Sequence, residues 1–471
     1  MWNKKYNLFF LIILKFLSLS INSKIIIPLK IRDNANKELN YIESLLQNQL
    51  YAEIKLGTPK QKIYMSISTE TESFSIESRL INDKFYFHND SSTHINTEKK
   101  LSFYHERYKS GNIFIDTFYL QKYFDINKIE AFKNISFNYI YELSEEFTYN
   151  EKVYYIDKNK NLISGVIGLQ IPKSYSSSTT FLNSLNYIGA INSNIWSLVF
   201  NNKKDYQSYL ILGENLFNNN YTIDDSKKAK AYTSGIDSYW NFVFSDIKTG
   251  NTKLNQERLA EYAPQLGVIF GTNEYRDYIN NYFFVNLLKE NICIQNKISV
   301  NSKLYTYYEC DKNINTNNFE PLIFTHQEFS YNFTLDKNDL FVDFDGKKYF
   351  LCIFLENDMD TKNHWVFGIP FIKKYNFVFD EKYNLISFYD SEFEIKEEGR
   401  KISWIVWILI IILILITSLL GLYLLYKIIF RPKKINANEL EDSFNIMNQN
   451  NKKSDVDLDT FYNSKYNKLG E

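Results

Sequence analysis

Tyr51-Ala-Glu-Ile-Lys-Leu-Gly-Thr-Pro-Lys-Gln61 leads through Lys62-Ile63-Tyr64-Met65-Ser66-Ile67 into Ser68-Thr69-Glu70-Thr71-Glu72-Ser73, and the fold is decided on this stretch. Tyr51–Leu56 and Ile63–Ile67 are short, apolar and rich in Tyr, Ile and Met, as half-buried strands are. Gly57-Thr58-Pro59 between them is a turn, since glycine admits a positive φ and proline sets the next bend. Similar segments recur at Ile113–Tyr119, Ile135–Tyr141, Ser197–Phe200, Leu210–Leu212, Tyr239–Phe244, Val268–Phe270, Tyr349–Phe354 and Phe377–Phe379, separated by Asn, Asp, Ser and Gly. Helical periodicity is confined to Thr179–Ile188, Arg258–Tyr262 and Tyr275–Leu288. The chain is therefore expected to be mostly β, with a few short helices.

Two stretches share the form apolar-apolar-Gly: Val166-Ile167-Gly168-Leu169 and Val366-Phe367-Gly368-Ile369. Each follows a strand-to-loop junction at a similar distance, 100 residues from Ser68 to Gly168 and 97 from Gly271 to Gly368. Equal spacing in the two halves points to duplicated lobes.

The 51–61 stretch resembles the first long strand and turn of pepsin-like aspartic proteases, Y-x-x-x-I-x-I-G-T-P-x-Q. Further likenesses follow in order. Ser164-Gly-Val-Ile-Gly-Leu169 is similar to D-G-I-L-G-L, and Leu210-Ile-Leu-Gly213 to L-x-L-G-G. Trp365-Val-Phe-Gly-Ile-Pro-Phe-Ile372 is similar to W-I-L-G-D-x-F-L, and Tyr375-Asn-Phe-Val-Phe-Asp380 to Y-x-x-V-F-D. The resemblance covers about residues 45–392. It implies a bilobal fold of two duplicated β-barrel-like lobes with a cleft between them, an N-terminal lobe over 45–225 and a C-terminal lobe over 226–392. It also implies a disulfide between Cys310 and Cys352.

The family's chemistry uses one aspartate per lobe, each in a D-T/S-G loop. The two carboxylates share one proton because both cannot ionise so close together; one acts as base towards water and the other as acid. No D-T-G or D-S-G occurs here. Counting from Gly57-Thr58-Pro59 puts the first aspartate on Ser68, with Thr69 kept and the loop glycine replaced by Glu70. In the second half the count puts the aspartate on Gly271, with Thr272 kept and Asn273 for glycine. Glu70, Glu72, Glu274 and Asp277 lie two to six residues beyond these positions, and displacements of about 1 Å already cost 10²-fold. The flap count places its tyrosine on Tyr104, and the following G-T-G-S becomes His105-Glu106-Arg107-Tyr108. The expectation is a pseudoprotease whose cleft binds an extended peptide or protein segment. The resemblance taken alone implies the alternative, an active aspartic endopeptidase of the secretory pathway.

The flanks carry the address. Lys4 and Lys5 precede an apolar run, Leu8–Leu19, and small residues at Ser18, Ser20 and Ser23 complete a signal peptide over 1–23. Trp404–Tyr426 carries no charge and covers about 34 Å as a helix, enough to cross a bilayer. Lys427, Arg431, Lys433 and Lys434 follow it, which places the polar tail, 427–471, in the cytosol. A type I membrane protein of the endomembrane system or plasma membrane is expected. Sequons at Asn89, Asn134, Asn220 and Asn332 all lie in the lumenal part. Tyr466-Asn-Lys-Leu469 fits the Y-x-x-Φ pattern that resembles clathrin-adaptor signals.

Composition narrows the rest. The 54 basic and 55 acidic residues cancel, so nucleic acid is not an expected partner. Five scattered histidines and three cysteines (Cys293, Cys310, Cys352) offer no metal-ligand spacing, and no metal or cofactor is expected. By count alone, three cysteines in an oxidising lumen make one pair and leave one over. Glycine is scarce, 15 in 471 residues, so its loss is informative only where the backbone needs it.

Overall fold

The computed structural model describes residues 24–32, 40–47, 49–72, 74–77, 88–101, 108–122, 125–143, 163–172, 180–200, 208–214, 228–230, 239–254, 258–356, 364–389 and 404–430. The signal-peptide reading, Tyr104, Asn220 and the Tyr466–Leu469 signal lie outside them.

The body is mostly β. Its described strands form three sheets, of thirteen, eight and four strands. The first holds the strands of the opening half, among them Leu50–Leu56, Gln61–Ser68, Phe74–Glu77 and Gly165–Gly168. It also takes in Asn376–Asp380 and Leu385–Tyr389 from the far end of the body; Asn376–Asp380 pairs with Ile195–Phe200. The other two sheets are built from residues 241–367. The turn at Gly57 forms with φ 79°, and Tyr51–Leu56 pairs antiparallel with Gln61–Ser66 across it. Aromatic residues are spent on the core: Trp196 stacks on Phe379 at 4.1 Å and meets Trp240 edge-on, all three fully buried.

Arg258–Tyr262, expected to be helical, is instead largely a strand, Leu259–Tyr262. Five residues with Glu261 among them carry too little pattern to separate the two periods. The tertiary setting decides: this strand lies between Asn241–Val243 and Trp365–Phe367, with hydrogen-bonding partners on both sides.

The disulfide joins Cys293 to Cys310 and not Cys310 to Cys352, which corrects the pairing implied by resemblance. The reason is register. Cys293–Val300 and Lys303–Asp311 form a hairpin in which Cys293 and Cys310 are directly opposed. The residue opposite Cys310 on the other side is Lys348, four positions short of Cys352. Cys352 is buried and free, and burial pushes its thiol well up, which keeps it unreactive. Alkylation of the denatured, unreduced protein should therefore label Cys352 alone. Cys293→Ser should cost about 3 kcal/mol, as expected for a loop of this size. A tryptic peptide joining Cys310 to Cys352 would refute this pairing.

Residues 396–471 form a second compact unit. Its helix spans Trp404–Ile429, 26 residues. Its side chains are described only in part, and among the described residues no helix is long and apolar enough to cross a membrane.

Candidate functional site

The site is built on two strand crossings that repeat one another residue for residue. In the first half, Gln61–Ser68 runs parallel to Gly165–Gly168, with Ile67 opposite Ile167 and Ser68 opposite Gly168. The chain loops round and returns antiparallel, with Phe74 opposite the same Ile167. In the second half, Leu259–Tyr262 runs parallel to Trp365–Phe367, with Tyr262 opposite Phe367. It too loops and returns antiparallel, placing Ile269 opposite that Phe367. Ile67 therefore corresponds to Tyr262, Phe74 to Ile269, and Ser68 to Ala263.

This corrects the sequence count. The residue equivalent to Ser68 is Ala263, and the loop equivalent to Ser68-Thr69-Glu70 is Ala263-Pro264-Gln265. Gly271 lies two residues beyond Ile269 and corresponds to Ile76. Its N–H donates to Ile353 O at 2.9 Å. A side chain there would place its Cβ 2.7 Å from both Cys352 Sγ and Phe354 Cε1. Thr272 is the N-cap of the helix Asn273–Tyr282, its hydroxyl accepting from Tyr275 N. Arg258–Tyr262 shows no strand alternation in the sequence, whereas Val268–Phe270 is an apolar run, and that run points to Gly271. Ala263-Pro264-Gln265 shares no residue with D-T-G, so only the strand pairing identifies it.

Ser68 and Thr69 are both buried. The Ser68 hydroxyl accepts from Glu70 N at 3.1 Å. Thr69 reaches across to the other loop, where its hydroxyl donates to Tyr262 O at 2.6 Å. Pro264, in the position matching Thr69, has no hydroxyl to return the bond. Gln265 partly replaces it: its Oε1 accepts from Thr69 N, and lies 3.4 Å from the Thr69 hydroxyl as well. Gln265 also anchors the loop through its backbone, since its carbonyl accepts from Gln49 N at 2.9 Å. Trp240 Nε1 donates to Leu169 O at 2.6 Å, and Leu169 N donates to Ser68 O. Thr69 thus ties the two loops together, through Tyr262 O and Gln265 Oε1.

The remaining charge is offset from the two equivalent positions. Glu70 keeps an exposed surface. Enough protein nevertheless surrounds its carboxyl for desolvation, and after it the Glu261 carboxylate, to push its pKa up, while Gln265 and Lys303 act the other way. Glu261 is buried and lies 3.5 Å from His364 Nε2. Glu261 and Gln265 are site residues that the sequence reading did not single out. Of the sequons, Asn89, Asn134 and Asn332 are exposed.

A profile of the family described as Eukaryotic aspartyl protease matches residues 49–390. That is most of the chain, and its strand crossings, motifs and span agree with the match: the protein belongs to the eukaryotic aspartyl protease family. No curated protein matches it.

Proposed function

We propose that this chain is a non-catalytic member of the family, a type I membrane protein whose interlobe cleft holds an extended peptide or protein segment. One observation carries the reading. The two equivalent positions where family chemistry needs carboxylates hold Ser68 and Ala263, and neither side chain is a proton donor or acceptor of the required kind. Loss of one acid–base group costs typically 10²–10⁴-fold, and here both are missing. The mutual hydrogen bonding of the loops agrees with a floor that is kept for shape. The exposed apolar side chains of the C-terminal helix, Leu415, Ile416, Leu419, Leu420 and Leu422 among them, are what lipid would cover. The span, the cytosolic tail with its adaptor signal and a place in the secretory or plasma membrane rest on that helix and on the charges after it.

The test is an assay of the purified ectodomain on an unstructured protein at pH 3–6, with and without a statine-type inhibitor. The parent should show no inhibitor-sensitive cleavage. A variant carrying Ser68→Asp, Glu70→Gly, Ala263→Asp, Pro264→Thr and Gln265→Gly should acquire it. Pairing Ser68→Asp with Gly271→Asp instead should give no activity and a destabilised protein, because the new Cβ meets Cys352 and Phe354. Inhibitor-sensitive cleavage by the parent would overturn the reading.

A further inference from the structure

Two histidines meet beside the turn at Gly57. Ser91 N donates to His88 O at 3.0 Å and His94 N to Ser91 O at 3.5 Å. Residues 88–94 are thereby folded back, and the two imidazole rings lie 5.0 Å apart. Both rest on Phe114, at 5.1 and 4.6 Å. His94 Nε2 is shut off from water and has no hydrogen-bond partner among the described residues. The segment bridges two elements. Towards the turn, Ser91 Oγ accepts from Thr58 N at 3.0 Å, and Ser92 N donates to Thr58 O at 2.7 Å. The fit is close, since a side chain at Gly57 would put its Cβ 2.8 Å from Ser91 Oγ. Towards the hairpin of Ile95–Leu101 and Tyr108–Lys122, the Thr93 hydroxyl donates to Asp116 Oδ1, which also accepts from Thr117 N. Phe114 and Asp116, two residues apart on one strand, share a face. Asp116 is thus the charge that faces the pair. Glu98 and Lys99 on the hairpin and Asp90 in the turn of His88 are exposed, and Lys60 lies over the Tyr119 ring at 4.4 Å.

We propose that His88 and His94 form an acid-released latch between the Gly57 turn and this hairpin, closed while both rings are neutral and opened when they take up protons. A protonated imidazole has two N–H donors to satisfy, and at His94 one of them is enclosed without a partner. A charge there is costly, and a second on the neighbouring ring repels it. Swinging either ring off Phe114 into water relieves both costs and draws residues 88–94 away from the turn. Burial first, and for His88 the His94 ring after it, hold both histidines below the ordinary 6.5, while Asp116 opposes this at His94. The sign follows from linkage. The unfolded chain takes up protons before the folded one, so the latch contributes fully above 6.5 and is lost as pH falls below it. The sequence count assigns the connection of this hairpin to the flap. On the proposed function, acid would therefore loosen the cover of a bound segment; that consequence rests on that reading, and the latch does not.

The experiment is hydrogen exchange in the full chain in detergent, each rate normalised to an unstructured peptide of the same sequence. Gly57 N, bonded to Thr117 O, and Ser92 N report the latch; Ala263 N and Gly271 N, both bonded in the second half, report opening of the whole body. In the parent, protection of Gly57 and Ser92 relative to that reference should fall at least tenfold between pH 7.5 and pH 4.5. With His88→Gln and His94→Gln together it should change less than threefold. His94→Gln alone should move the midpoint to higher pH, because a like charge no longer opposes protonation of His88; this arm decides the matter if the double variant does not fold. A flat ratio in the parent, a parent-like titration in the double variant, or an unmoved midpoint in His94→Gln would each overturn the latch. Failure here leaves the cleavage assay of the ectodomain untouched, so the two readings fall separately.

Discussion

Gly368→Ala is expected to remove a large share of the body's stability, more than about 4 kcal/mol. The strand Trp365–Phe367 ends at Gly368, where the second crossing brings two backbones together. An added Cβ would stand 2.1 Å from Val268 O and 2.5 Å from Leu266 O. Neither carbonyl is a flexible tip that swings aside. Leu266 O accepts from Ile369 N at 2.8 Å, and Ala263 N is held by Phe367 O at 2.9 Å. Relief of the clash requires opening the crossing itself, a loss above about 4 kcal/mol, against a typical whole-domain stability of roughly 5–15 kcal/mol. Gly189→Ala is the control. Gly189 has φ 70° and open space around its Cβ, so only left-handed strain of about 1–2 kcal/mol applies. Circular-dichroism melts of the purified bodies compare the two. A Gly368→Ala protein that melts beside the parent would show that the crossing is not as tight as described.

Stability should fall by about 3 kcal/mol on one histidine alone as pH drops from 6.5 to 4. His326 is 4 % exposed and stacks on Phe329 at 4.1 Å, with Phe242 and Phe244 edge-on. Its Nδ1 accepts from Phe329 N at 3.3 Å, a role open only to a ring nitrogen without a proton. Burial lowers its pKa from 6.5 to about 4. Between those values the unfolded chain binds a proton that the folded chain refuses, so stability rises with pH there. The contribution is complete above 6.5 and gone below about 4. Denaturant titrations of the parent and of His326→Phe at pH 7, 5.5 and 4 isolate it. The variant forfeits the Phe329 hydrogen bond at every pH, about 1–3 kcal/mol, but should lack this slope. Parallel curves would remove His326 as the cause.

Much of the fold is legible in the residues because strands and turns are local. Gly57-Thr58-Pro59 turns where expected, and the paired Gly168 and Gly368 motifs mark two crossings. The first half of the site is legible for the same reason: ten residues of unbroken strand and turn connect Pro59 to Thr69 and leave no freedom in the count. The second half is not. Leu259–Tyr262 has only four residues, one of them Glu261, and no turn motif precedes it. The count therefore slipped from Ala263 to Gly271. The disulfide fails similarly, because Cys310 and Cys352 match a family spacing while the hairpin register sets Cys293 opposite Cys310.

By itself, then, the amino-acid order determined a mostly β body of two repeated crossings, the absence of any D-T-G or D-S-G, and Ser68 at the end of the first strand of the first crossing. Each of these is written within a short window, where side-chain alternation and turn chemistry suffice. Tertiary structure alone decided that Ala263 is the partner of Ser68, that Gln265 ties the loops together, and that Cys352 is free. These depend on which strands pair and in what register, across 195 residues between Ser68 and Ala263. Such pairing is set by burial of the whole core, and no local stretch of the chain encodes it.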